Sequence, residues 1–509
     1  MSIEKTLAFS GDYIEGQWRL SERPDEEWSV QSPGNLKDLV IRPVACFEHV
    51  NQAIESARKA YLPWAHLGVE KRRTHLLRLK EVFLARGAEL AEIIARETGK
   101  PLWETKTEAA ALASKIDITL NHSLKLVAEE EVKDALPGVT GFIRHKPRGV
   151  MAVVGPFNFP AHLPNGHIIP ALITGNTVVF KPSDKTPAVG QWMAESFAAA
   201  EFPAGVFNMV QGQAEVGKRL VAHESVDGIL FTGSYEVGLR IKQETMTHFW
   251  KILALEMGGK NATIVWQDAD LKKAVYECLV GSFMTAGQRC SCTSRIILHP
   301  KIRDEFVDQF YASAKKIKIG HWRDQVFMGP LISADAVEKY IRYQEIAKRE
   351  GAESLMRGKA LSLEHDGYYV TPSINIVPAP DAKSVYQKSE IFGPNVAIYS
   401  TDSFEQALAI NNSSGFGLVM ALFTKERALY ERALIEAQVG QLNLNRTTNG
   451  ASSRLPFGGM NKSGNDRPSA HYAVQYTTVP VSSLEDDTPF TGTNMPVGLG
   501  FDTKDSASE

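Results

Sequence analysis

From Gly141 to about Glu256, short runs suited to strands alternate with runs patterned for helices. No other feature limits the fold of this chain as strongly. Val150–Val154, Thr177–Phe180, Val206–Val210 and Gly228–Thr232 are apolar and largely β-branched, while 188–200, 214–222 and 235–246 carry apolar residues at helical spacing. Alternation of this kind predicts a parallel sheet with helices on both faces, and ligands outside the C-terminal ends of its strands. The pattern resumes from about Gly258 to Leu442, which reads as a second α/β domain. A chain of 509 residues is too long for one core in any case. Ahead of the alternation lie three helical stretches. In the first, Val50, Ala53, Ile54, Ala57 and Tyr61 recur at i, i+3, i+4 spacing; the second spans about 70–98 and is stopped by Gly99 and Pro101; the third spans about 103–129. Tyr472–Leu484 alternates like a strand and has Gly141–Lys146, or another subunit, as its expected partner. The tail beyond Glu485, rich in Asp, Thr, Gly and Ser, is expected to be a loosely ordered end.

Composition removes whole classes of function. The formal net charge is −3 with no long basic run, which argues against nucleic acid or an anionic membrane surface as a partner. The four cysteines, Cys46, Cys278, Cys290 and Cys292, form no CxxC pair, so neither a disulfide framework nor a zinc site is expected. There is no HExxH and no other clustered ligand spacing, and no metal is expected. No window approaches the roughly 20 apolar residues of a membrane helix, and the first residues lack an apolar core of signal-peptide length. These traits fit a cytoplasmic, enzyme-sized protein.

Several short stretches carry candidate chemistry. Phe283–Cys292 takes an apolar helical segment into Gly287-Gln288 and leaves Cys290 on irregular backbone just before the strand-like Ser294–His299. A thiol at such a junction, with backbone N–H groups nearby, suits a nucleophile that forms an oxyanion, although most free cysteines are inert packing residues. Gly155–Pro160 holds Asn158 at a strand end between two prolines, where a side-chain amide can face an oxyanion or, equally, cap a turn. Lys181-Pro-Ser183-Asp184 ends another strand; its Lys suits a ribose or phosphate, and its Asp suits a ribose diol and would favour NAD over NADP. Gly233-Ser234, followed by Gly238, opens a helix whose N–H groups can meet a pyrophosphate, without the usual GxGxxG. Glu256, before Gly258-Gly259, stands where a buried water-activating base would. Glu390-Ile-Phe392 adds a carboxylate and a ring able to grip a ribose and a nicotinamide.

In order, spacing and wording these stretches resemble the aldehyde dehydrogenase superfamily along nearly the whole chain. Pro164-Asn-Gly-His167, Ala286–Cys292 and Ser463–Ser469 narrow the resemblance to a branch acting on an amino-acid-derived semialdehyde. N-succinylglutamate 5-semialdehyde of arginine breakdown is the leading substrate, and glutamate semialdehyde the alternative. The resemblance implies an α/β fold with a Rossmann-type cofactor domain, a second α/β catalytic domain and a small β element for oligomerisation. Its boundaries would be 1–125 and 147–256 for the cofactor domain, 126–146 for the first part of the oligomerisation element, 257–445 for the catalytic domain, 446–485 for the return and oligomerisation strand, and 486–509 for the tail. It also implies a homodimer or tetramer. By the same resemblance Cys290 is the nucleophile, Asn158 steadies the oxyanion and Glu256 activates water. Lys181, Ser183, Asp184, Gly233, Ser234, Gly238, Glu390 and Phe392 would bind NAD. Ser291, Gly450 and Ala451 would lie near the aldehyde's tail, with Arg446 and Arg454 as candidates for its carboxylates; Arg467, His162 and His167 are further neighbours. Two other classes remain open: a catalytically silent relative, against which the intact Cys290, Glu256 and Asn158 argue, and a cysteine hydrolase, for which no His–Asn/Asp pairing is evident.

Overall fold

A computed structural model describes residues 5–489 and 495–500. Met1–Glu4, 490–494 and 501–509 lie outside the described residues, and with them part of the expected loose tail.

The first sheet has seven strands in the spatial order Ile252–Glu256, Gly228–Thr232, Val150–Val154, Thr177–Lys181, Phe207–Met209, Asp12–Ile14 and Gln17–Arg19. The first five are parallel, and an N-terminal hairpin completes the sheet in antiparallel sense. The reason these segments read as unbroken apolar runs is visible in their packing. Met151, Val153, Val178 and Phe180 enter one core, whereas Val150, Ala152 and Val179 enter another on the opposite face. Alternate residues of a strand point to opposite faces, so a strand covered on both sides must be apolar at every position. Helices Val69–Thr98, Leu102–Asn121, His162–Ile173 and Pro187–Ala199 pack on the first face, and Glu48–His66 and Ala214–Ala222 on the second.

A second seven-stranded sheet runs Glu353–Met356, Ser373–Ile376, Asn395–Ser400, Thr293–Leu298, Asn261–Val265, Val419–Phe423 and Gln441–Leu444. It is parallel apart from its first strand and has its own core. A third, antiparallel sheet joins Thr478–Glu485, Val139–Pro147 and Glu130–Leu136, pairing Val479 with Lys146 and Leu484 with Gly141.

Two expectations need correction. The third helix ends at Asn121, a short 3₁₀ turn covers Ser123–Val127, and Glu130 already starts a strand. The strand expected from Tyr472 begins only at Thr478, because Ala473, Val474 and Tyr476 form a helical turn and are buried there. Pro480, which has no N–H to give a ladder, sits in the edge strand of the three-stranded sheet.

Register places the chemistry. Lys181 pairs with Val154, Phe231 with Val154, and Thr232 with Glu256. The ends of four adjacent parallel strands therefore open on the same side of the first sheet, facing the second.

Candidate active site

Between the two large sheets lies a cavity of about 1500 Å³ lined by Cys290, Glu256 and Asn158 together. The nucleophile segment is shaped by strained backbone. Asp270 caps the helix Leu271–Phe283, accepting from the Lys273 N–H at 3.1 Å. After Met284 the chain passes through three left-handed residues, Thr285 (φ 57°), Ala286 (φ 52°) and Gly287 (φ 70°). Such conformations cost non-glycine residues free energy and persist only where the surroundings enforce them. The surroundings here are specific. Glu104 accepts from the Thr285 hydroxyl and from Arg289 at 2.9 Å. Gln288 accepts from the Ile332 N–H at 3.0 Å. A Cβ at Gly287 would collide with the carbonyl of Gly393. Beyond the turn, the Asn261 amide donates to the carbonyls of Cys290 (2.7 Å) and Cys292 (3.0 Å), tying the loop to the second sheet.

Burial pushes the Cys290 thiol up to about 12; Glu390 and Glu256 add to this, and Arg289 opposes it. Glu256 is 5% exposed and its Oε2 has no hydrogen-bond partner. Desolvation holds its carboxyl well above the usual range, with a backbone N–H from Ser469 working the other way. Burial thus works against the charged form of both the carboxyl and the thiol. Asn158 donates through Nδ2 to the Gln288 carbonyl at 3.0 Å, two residues before the thiol, and its Oδ1 accepts from the Phe159 N–H at 3.1 Å. One amide hydrogen of Asn158 is thereby committed and the second is left for a ligand. The set provides a thiol, a carboxyl and an amide donor, the parts needed for acyl chemistry at a carbonyl.

Residues 18–481 match the profile described as the aldehyde dehydrogenase family. The chain belongs to that family. Among curated proteins, N-succinylglutamate 5-semialdehyde dehydrogenase of Escherichia coli is 38% identical over 504 residues, covering 97% of this chain and 99% of the relative. Among solved structures, 1-pyrroline-5-carboxylate dehydrogenase from Thermus with bound NAD superposes with a TM-score of 0.88 at 29% identity, covering 94% of this chain and 93% of the other. An NADP-dependent enzyme of E. coli does so with a TM-score of 0.88 at 30% identity, covering 94% and 98%.

In this aldehyde dehydrogenase most of the residues singled out from sequence line the one cavity. At one end are Lys181, Ser183, Asp184, Gly233, Ser234, Glu390 and Phe392. Lys181 donates to the Pro182 carbonyl at 2.9 Å, and desolvation lowers its ammonium to about 8. Ser234 caps the helix Tyr235–Glu244 by accepting from the Val237 N–H. Glu390 accepts from the Gly259 N–H at 2.8 Å. Phe392 has φ 58° and meets Phe157 edge-on at 5.8 Å. Gly238 lies outside the lining, and its lack of a side chain makes room for the Met257 sulfur.

At the other end are Ser291, Arg446, Gly450 and Ala451. Ser291 donates to Asn449 Oδ1 at 2.9 Å, and Arg446 is exposed. Arg454 is exposed and lies outside the lining. His162 and His167 both do. His167 is held neutral, its titration lowered to about 3 by burial, between the Tyr476 hydroxyl (2.6 Å) and the Thr232 hydroxyl (3.3 Å). Sequence reading missed Glu104, Glu108 and Lys115, which line this end from the helix Leu102–Asn121. The signal was present as polar residues at i, i+4 and i+11 on one helical face. Among the described residues no group of three or more His, Cys, Asp or Glu can hold a metal ion, and no helix is long and apolar enough to cross a membrane.

Proposed function

We propose that this aldehyde dehydrogenase oxidises N-succinylglutamate 5-semialdehyde to N-succinylglutamate with NAD and water, releasing NADH and two protons. The observation that carries the chemistry is the convergence of Cys290, Glu256 and Asn158 on one cavity. Similarity to the E. coli relative supports the substrate.

The cofactor end fits a dinucleotide. Its donors are a desolvated Lys181, the hydroxyl of Ser183 and a capped helix start at Ser234, each suited to ribose or phosphate oxygens. Asp184 favours NAD, because a 2′-phosphate would meet its carboxylate; the NADP-dependent neighbour makes this selectivity worth measuring. NAD bound there supplies the hydride acceptor and a positive ring that favours the Cys290 thiolate.

Cys290 gives up its proton to solvent water, and its sulfur bonds to the aldehyde carbon as the C=O π electrons pass to oxygen. The resulting oxyanion is steadied by the free amide hydrogen of Asn158 and the backbone N–H of Cys290. Loss of hydride from that carbon leaves a thioester on Cys290. Glu256, as carboxylate, takes a proton from water; the hydroxide adds to the thioester, the C–S bond breaks and the sulfur leaves as thiolate.

The proposal extends to organisation. Residues 1–125 and 147–256 form the cofactor domain and 257–445 the catalytic domain, with 126–146 and 446–485 contributing to assembly. The strand Glu130–Leu136 is exposed at every position, and Met246, Phe249 and Trp250 are exposed apolar residues, which supports a homodimer or tetramer. Four unpaired cysteines suit the reducing cytoplasm.

The test is NADH formation from N-succinylglutamate, glutamate and succinate semialdehydes, with Cys290→Ala as the blank. Preference for the succinylated aldehyde is expected. Turnover that favours another aldehyde removes the substrate assignment, and no NADH from any of them removes the chemistry.

A further inference from the structure

The helix Leu102–Asn121 turns one face toward the substrate end of the cavity, presenting Glu104, Thr107, Glu108, Ala111 and Lys115. The two acids on that face are already matched. Glu104 takes Arg289 at 2.9 Å, and Glu108 takes Lys100 at 2.5 Å. Lys115 is not. It is 1% exposed, and its ammonium donates to the Ala470 carbonyl at 2.8 Å; no carboxylate pairs with it among the described residues. An ammonium has three N–H donors, so two point at nothing charged in a water-poor wall. Desolvation accordingly lowers Lys115 to about 7.

A second unsatisfied group stands close by. His162 Nδ1 is buried without a hydrogen-bond partner, and His162 also lines the cavity. Lys115 acts electrostatically on both His162 and His167, so the three groups cluster. The Ala470 carbonyl that holds Lys115 comes from a left-handed residue (φ 60°). A buried cation with spare donors beside an orphaned imidazole nitrogen, in the wall of a substrate cavity, is an anion receptor.

We propose that Lys115, with His162, receives a carboxylate of the substrate remote from its aldehyde and so selects acid-bearing aldehydes. This deepens the proposed function and rests on it only for the identity of the acid. Arg446, the cation expected from sequence, lies exposed at the rim, and Arg289 is spent on Glu104.

The experiment compares the wild type with Lys115→Met, Lys115→Gln and Lys115→Arg on two matched pairs of aldehydes. One pair is N-succinylglutamate 5-semialdehyde and its dimethyl ester, the other succinate semialdehyde and butanal. In Lys115→Met and Lys115→Gln the ratio of kcat/KM for the acid over its uncharged partner should fall by roughly 10- to 100-fold, through KM rather than kcat. Lys115→Arg should recover part of it. Gln keeps a donor for the Ala470 carbonyl, so a purely structural role of Lys115 would be met by Gln and would weaken acid and uncharged aldehydes alike in Met. An unchanged ratio in both pairs overturns the inference. A ratio that falls only for the four-carbon pair, in an enzyme that does not prefer the succinylated aldehyde, sinks the substrate assignment and leaves Lys115 as the receptor.

Discussion

The two ends of the cavity are built on different physics. At the proposed cofactor end the charges are mixed: Lys181 is 6% exposed, whereas Asp184 and Lys185 approach to 3.5 Å with side chains 36% and 50% exposed, and a helix start and a glycine N–H supply other donors. At the substrate end the charges are buried: Lys100 and Glu108 are 3% and 0% exposed, and Arg289 and Glu104 12% and 2%. An exposed pair contributes about 0–1 kcal/mol, whereas removing one partner of a buried pair costs about 3–5 kcal/mol. Single changes at the proposed cofactor end should therefore cost less, since backbone donors persist. The substrate end is a connected wall in which each change strands a neighbour. Cys290 sits on a loop tied to Glu104, Asn158 and Asn261.

That contrast yields predictions of graded size. Cys290→Ala should lower aldehyde oxidation by about 10,000-fold or more while NAD still binds, read by quenching of protein fluorescence. Loss of NAD binding in that variant would mean the two ends are not separable. Glu256→Gln should lower steady-state turnover by about 1,000-fold yet keep a first-turnover burst of NADH, because the amide cannot activate water but leaves thiol addition possible. A burst lost in equal measure would assign Glu256 to the thiol step as well. Gly287→Ala should reduce kcat by about 100-fold, because the left-handed turn must shift off the Gly393 carbonyl and carry Cys290 with it. The KM for NAD should stay within about twofold, and a large rise in it would contradict the division of labour. Asp184→Ala should raise the KM for NAD by about tenfold and narrow the preference over NADP, with the choice among aldehydes unmoved.

Acidity gives the last and gentlest test. With the Cys290 thiol pushed up to about 12, its thiolate fraction rises with pH throughout the accessible range. Alkylation of Cys290 in the cofactor-free enzyme should accelerate by about tenfold per pH unit from 7 to 9, followed by peptide mass analysis to separate it from half-buried Cys46. A plateau below pH 8 would show that the thiol is already activated without NAD.

Legibility in the sequence followed contiguity. Val150–Val154 and Gly228–Thr232 have the bounds their apolar runs imply, since a strand covered on both faces announces itself locally. Lys181, Ser234 and Glu256 each end or follow such a strand and line the cavity, because a parallel sheet opens its ligand crevice there. Tyr472–Leu484 misled because an alternating run also contains Ala473, Val474 and Tyr476 at a spacing that a helical turn can bury. Arg454 lies outside the cavity lining because closeness in sequence to a motif does not set the direction of a side chain.

What the sequence determined by itself is the α/β architecture, the family and the segments bearing Cys290, Glu256 and Asn158, because periodicity and short motifs are local properties of the chain. Only the tertiary structure decided which charges are spent and which are free. Lys100 answers Glu108, Arg289 answers Glu104, and Lys115 is left facing the cavity. Pairing depends on distance and desolvation between segments far apart in the chain, and no spacing along the chain encodes either.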